Sequence, residues 1–231
     1  MTKLRQPNRD GGAEAMWISD APATPGSWAA ARADHHRSGL WPLLLDSLDR
    51  DGQRPWESGE LGQPETSAPD DYDAETVLAH LFAVGAPDKG WPGLAPAGAL
   101  IADPDDEADR AADALLHRQP WLRIGFVPAP RGSDTLAACG WHGPANHTNN
   151  TAQLCAVLCS WESRFGARAI GLGFDTLTLS IAAPPRTIEE ALVISAEHLA
   201  FCPDNIYQGP GAIGPYAKQV LEARVWNFWW D

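Results

Sequence analysis

The stretch Arg168-Ala-Ile-Gly-Leu-Gly-Phe-Asp-Thr-Leu-Thr-Leu-Ser-Ile-Ala182 contains two alternating runs, Arg168 to Phe174 and Leu177 to Ala182, separated by Asp175 and Thr176. Apolar residues at every second position mark strands with one buried face. A two-residue turn predicts Phe174 opposite Leu177, Leu172 opposite Leu179 and Ile170 opposite Ile181, all on that face. Asp-Thr is less typical of such a turn than Asn-Gly, which leaves a longer loop open.

Helices are expected on both sides of this hairpin. Upstream, Asn150 to Gln153 has capping-box spacing, and Leu154, Leu158, Trp161 and Phe165 follow on one helical face. Downstream, Pro184 and Pro185 end the hairpin and Thr187 to Glu190 opens a helix that Pro203 stops, with Ile188, Leu192 and Leu199 pointing inward. A strand over Trp121 to Val127, a short helix over Pro215 to Ala223 and a last strand over Val225 to Trp230 complete the C-terminal half. The order strand, helix, hairpin, helix, helix, strand predicts an α+β fold: an antiparallel or mixed sheet with helices packed mainly on one face.

The N-terminal region reads as an α/β extension. Helices are expected over Trp28 to Arg37, Ala74 to Phe82 and Asp105 to His117, and a buried strand over Leu40 to Leu45. Asp49 to Asp73 and Gly85 to Gly98 have loop composition, the first anchored by Trp56. Residues 1–14 are expected to form a flexible tail, followed by an N-terminal region over 15–118 and a C-terminal domain over 119–231.

Thirty acidic residues against seventeen basic ones give a formal charge of -13, with no Lys/Arg cluster to follow a row of phosphates. Nucleic acid is therefore excluded as a partner, whereas a basic protein would be attracted. With no apolar run near the ~20 residues of a membrane span and no secretory leader, the chain reads as cytoplasmic and independent of membranes. The four cysteines, Cys139, Cys155, Cys159 and Cys202, read as reduced thiols.

Nucleotide-loop, serine-hydrolase and zincin motifs are all missing, so no cofactor is expected. His198 and Cys202 lie one helical turn apart beside Glu197 and Asp204, a segment that could hold a nucleophile and its base. Against that, the negative end of a helix dipole disfavours a thiolate. Cys155 and Cys159 share a face of the preceding helix and could join His198 and Cys202 around zinc, but the spacing matches no usual zinc site, so less than stoichiometric zinc is expected. Trp226, Trp229 and Trp230 crowd against Asp231 in a chain of 11 tryptophans, and with Asp175 they form the candidate binding residues.

The segments Ser160-Trp-Glu-Ser-Arg-Phe-Gly-Ala167, Phe174-Asp-Thr-Leu177, Ala196-Glu-His198, Phe201-Cys-Pro-Asp204 and Trp226-Asn-Phe-Trp-Trp-Asp231 occur in this order. Together they resemble domain of unknown function family 4253 over about residues 121–231. Ser38-Gly-Leu-Trp-Pro-Leu-Leu-Leu45 and Pro55-Trp56 resemble the upstream region of its actinobacterial members. The resemblance implies a bacterial cytosolic setting. It makes Trp161, Asp175, Glu197, Cys202, Asp204 and the terminal Trp-Trp-Asp defining residues, and carries over no activity or ligand.

Two functions remain open. One is a non-enzymatic module that binds another protein, in the manner of immunity proteins that neutralise toxins through acidic surfaces. The other is a small-molecule site or hydrolase-like enzyme built from Glu197, His198, Cys202, Asp204 and the tryptophan cluster. A concave polar pocket favours the second and a flat acidic face the first.

Overall fold

The computed structural model describes residues 4–5, 16–50, 54–58, 60–62 and 66–231. Local chemistry sets most helix ends. α1 spans Ser27–Ser38 and α2 spans Ala74–Gly85, the latter capped by the Asp73 carboxylate accepting from the Thr76 N–H. α3 (Pro104–Arg118) begins with Asp103 as cap, proline in its first turn and three acids behind it, and ends on His117 and Arg118. α5 (Thr151–Phe165) starts at Asn150, whose side chain accepts from the Gln153 N–H, and stops at Gly166, left-handed at φ 60°. α6 (Ile188–Phe201) opens with the reciprocal Thr187/Glu190 capping box.

The strands are β1 (Leu4–Arg5), β2 (Trp17–Pro22), β3 (Leu40–Leu45), β4 (Arg123–Pro128), β5 (Arg168–Leu172), β6 (Thr176–Ser180) and β7 (Val225–Trp229). They form one mixed sheet of order β1-β2-β4-β3-β5-β6-β7, parallel only between β3 and β5. The N-terminal β3 thus sits between two strands of the C-terminal half. Apart from β1, the tail expected over 1–14 lies outside the described residues.

Helices cover both faces unequally. On one, α1 packs on β3 and α3 reaches β5 and β6. On the other, α5, α6 and the short α4 (Thr135–Cys139) meet the sheet or one another, with α2 behind α5 and α6. The second interface is aromatic: Trp161 of α5 stacks on Phe228 at 5.5 Å, and Phe201 of α6 meets the same ring at 4.9 Å. The edge of β7 is covered by α7 (Asp204–Tyr207), while α8 (Ile213–Val220) packs against α6.

Two expectations are corrected. In the hairpin, Leu172 pairs with Leu177 and Gly171 with Thr178, and a register shift lies between Ala169 and Gly171. The loop runs from Gly173 to Asp175, closed by the Gly173 N–H donating to the carbonyl of Thr176, the first residue of β6, at 2.8 Å, so Phe174 is a loop residue. On α6, Leu192 is exposed, and the packed side is instead made by Ala191, Ile194, Ser195 and His198. Short side chains let neighbouring helices approach closely, so side-chain size alone misplaces the inner face of this helix.

Candidate functional site

Of the four residues that could form a hydrolase-like site, Glu197 is fully enclosed. Its carboxylate accepts from Trp161 Nε1 at 2.7 Å, from the Ala95 N–H at 2.7 Å and from Arg164 Nη1 and Nη2 at 2.8 and 2.7 Å. Arg164 is held in turn by Ser160 and the Ala95 carbonyl. This is a satisfied bidentate ion pair locking α5 and α6 to the 85–98 loop. His198, also fully buried, packs edge-on against Trp161, Trp226 and Phe228, and its Nδ1 lies 3.1 Å from the Tyr216 hydroxyl. Burial lowers its pKa to about 3, so the imidazole stays neutral.

Cys202 gives its S–H to the Trp229 carbonyl at 2.9 Å, and burial pushes the thiol up to about 12. It therefore fastens β7 and is not poised for attack. For Asp204, burial works to raise the carboxyl pKa, but the Asp231 N–H, Gln208 and His147 outweigh it and hold the pKa below the ordinary value. Its Oδ2 accepts the Asp231 N–H at 3.0 Å and lies 2.7 Å from His147 Nε2. Glu197, His198, Cys202 and Asp204 thus face different partners. Nor do Cys155, Cys159, His198 and Cys202 converge: among the described residues no group of three or more His, Cys, Asp or Glu could hold a metal.

The tryptophans divide by the pleat of β7. Trp226 and Trp230 point into the aromatic layer and are 3% and 2% exposed. Trp229 points the other way and is 38% exposed. It is fixed at three points: Nε1 donates to Asp175 Oδ2 at 3.1 Å, its N–H donates to Asn205 Oδ1 at 3.0 Å, and its carbonyl accepts from Cys202. Of the candidate binding residues, Trp229 and Asp175 are therefore brought together, Asp231 is exposed two residues past Trp229 with its N–H held by Asp204, and Trp226 and Trp230 belong to the core.

Trp229 borders a cleft of about 510 Å³ on the α3 side of the sheet. Two rows of paired residues build its floor. Leu44, Gly171, Thr178 and Asn227 lie side by side across β3, β5, β6 and β7, and Thr176 pairs with Trp229 in the next row. Gly171 keeps the floor low, since a Cβ there would lie 3.3 Å from Leu115. Leu115 of α3 and Gln119, just past the end of that helix, form one wall, and Gln219 and Val220 of α8 the other. Thr178 donates to Asn227 Oδ1 at 3.1 Å, and the Asn227 NH₂ makes no hydrogen bond to the other described residues. Asp46 is the one charged residue among the described residues lining the cleft, and it accepts from Trp121 Nε1 at 3.0 Å.

Sequence reasoning passed over Thr176, Thr178, Asn227, Gln119 and Gln219. Their signal is the polar half of the β6 and β7 alternation, which reads equally well as a solvent-facing side. It passed over Arg164 too, although Trp161 and Arg164 lie three apart on α5 and so share a face. Residues 123–231 match the model of a family described as a domain of unknown function, DUF4253. No curated protein and no solved structure matches the chain.

Proposed function

We propose that this protein, whose C-terminal half is a DUF4253 domain, is a non-enzymatic binding module whose ligand occupies the cleft between α3 and α8. The observation that carries the reading is the floor: polar side chains of β6 and β7 line an open hollow, beside the exposed Trp229, whose indole N–H is held by Asp175 and whose backbone is held by Asn205 and Cys202. Concave sites with a few fixed polar groups and an aromatic surface are the usual form of small-ligand pockets, and about 300–1,000 Å³ is their usual size. Preorganisation of Trp229 lowers the ordering cost of binding. The neutral His198, the bound Cys202 thiol and the closed Glu197 pair weigh against catalysis by that segment.

A thermal-shift screen of the full chain against anionic, neutral and cationic small molecules tests the reading. Thr178→Phe fills the cleft from its floor and should abolish any stabilisation while the variant stays folded. Equal stabilisation of wild type and Thr178→Phe would move the site elsewhere. The charge of -13 favours a second reading, a basic partner protein. Its signature is capture of a basic protein that weakens steeply with salt and is indifferent to Thr178→Phe.

A further inference from the structure

We infer that the cleft takes a neutral, hydroxyl-rich ring, a pyranoside, with one flat C–H face laid on the Trp229 indole. The inference rests on the cleft reading above and adds the class of ligand. Charge is the first argument. No Lys, Arg or His lines the cleft among the described residues, and its single charged group is the Asp46 carboxylate. A phosphate or carboxylate would be desolvated there without a cation to meet it, in a protein already at -13.

The second argument is the placement of hydrogen-bonding groups. Thr176, Thr178 and Asn227 rise from the floor, Gln119 reaches from one wall and Gln219 from the other. No side-chain hydrogen bond ties either glutamine to the other described residues. Hydroxyls and primary amides serve as both donors and acceptors, as sugar hydroxyls do. Donors and acceptors arranged on several sides suit a ring that carries hydroxyls around its periphery and out of its mean plane, whereas a planar base keeps all its polar atoms in one plane. The third argument is Trp229, which has no aromatic partner among the described residues, although Trp141, Trp161, Trp226 and Trp230 all contact other rings. The electron-rich indole face attracts the slightly positive C–H hydrogens of a pyranose.

The test is binding of the full chain to methyl glucoside, cellobiose and N,N′-diacetylchitobiose, beside glucose 6-phosphate, glucuronate, glucosamine and adenosine, by calorimetry and thermal shift. At least one neutral saccharide should bind about tenfold or more tightly than its charged counterparts and than adenosine. Trp229→Ala should weaken it by about tenfold or more, and Trp229→Phe, which keeps a stacking face, by much less. Asn227→Asp should weaken it with an unchanged melting temperature of the free protein. Failure of every neutral saccharide to bind overturns the inference. If instead an anion, glucosamine or adenosine binds and Thr178→Phe abolishes that binding, the cleft reading stands and the saccharide inference falls. Saccharide binding that Thr178→Phe and Trp229→Ala leave unchanged overturns both.

Discussion

The Asn205 side chain takes the place of a neighbouring strand for β7: its amide nitrogen donates to the Asn227 carbonyl at 2.7 Å, and its amide oxygen accepts the Trp229 N–H at 3.0 Å. One residue thereby satisfies an edge that would otherwise invite another chain, and it fixes the backbone under the cleft. Asn205→Ala is expected to cost about 1–3 kcal/mol, the usual result of leaving such groups without their partner. Asn205→Asp is expected to cost more, because a carboxylate would face the Asn227 carbonyl. Urea unfolding of the two variants checks the order, and a neutral Asn205→Ala would contradict it.

Arg164 and Glu197 make a second test. Removing one partner strands a buried charge, so Arg164→Met should cost about 3–5 kcal/mol. Replacing both, as Arg164→Met with Glu197→Leu, removes the uncompensated charge and should recover part of that loss. Denaturant unfolding of the single and double variants measures the difference. A double variant no better than the single would show that packing of the 85–98 loop, and not charge, holds this joint.

The buried His198 predicts a pH dependence whose sign follows from linkage. Its folded pKa, about 3, lies below the ordinary 6.5, so between those values the unfolded chain binds the extra proton. Stability is therefore full above about pH 6.5 and falls toward pH 3, by about 1.4 kcal/mol per unit well inside that window. Tyr216, its hydroxyl partner, is pushed up to about 12 by burial and does not titrate there, while Asp204 adds its own loss below the ordinary carboxylate range. His198→Phe should flatten the slope between pH 6 and 4. An unchanged slope would assign it to other groups.

Much of this fold is legible in the sequence because its signals are local. Asn150, the Thr187/Glu190 box and the acid-rich start of α3 mark helix ends within a few residues. Strand order is not local: β3 lies between β4 and β5, and Leu44 pairs with Gly171 far along the chain. The hairpin register escaped because the turn is made at Phe174 and Asp175, which moves the pairing by two residues and leaves every side chain on its face, so that alternation reveals nothing; a further shift follows between Ala169 and Gly171. At the site, Trp229 and Asp175 were visible as candidates, but a polar strand face looks the same whether it meets bulk water or lines a cleft. Only the placement of α3 and α8 separates the two.

The cysteines give a fourth prediction. Cys139, Cys155 and Cys202 are buried and Cys159 is half-buried beside Ser133. Burial raises the pKa of Cys155, Cys159 and Cys202, so all three should react slowly with a thiol reagent. Cys159 should be modified first in the native protein and the others only on unfolding. Cys202→Ser keeps a donor for the Trp229 carbonyl and should preserve both folding and binding. Rapid native modification of Cys202 would contradict the closed packing around it.

The most direct test of the cleft is the indole N–H spectrum of tryptophan-labelled protein during titration with the neutral saccharides named above. The account predicts that the Trp229 signal, assigned by its loss in Trp229→Phe, moves to saturation while Trp226 and Trp230 stay in place. Shifts confined to the buried indoles, or a Trp229 signal that never moves while ligand binds, would contradict it.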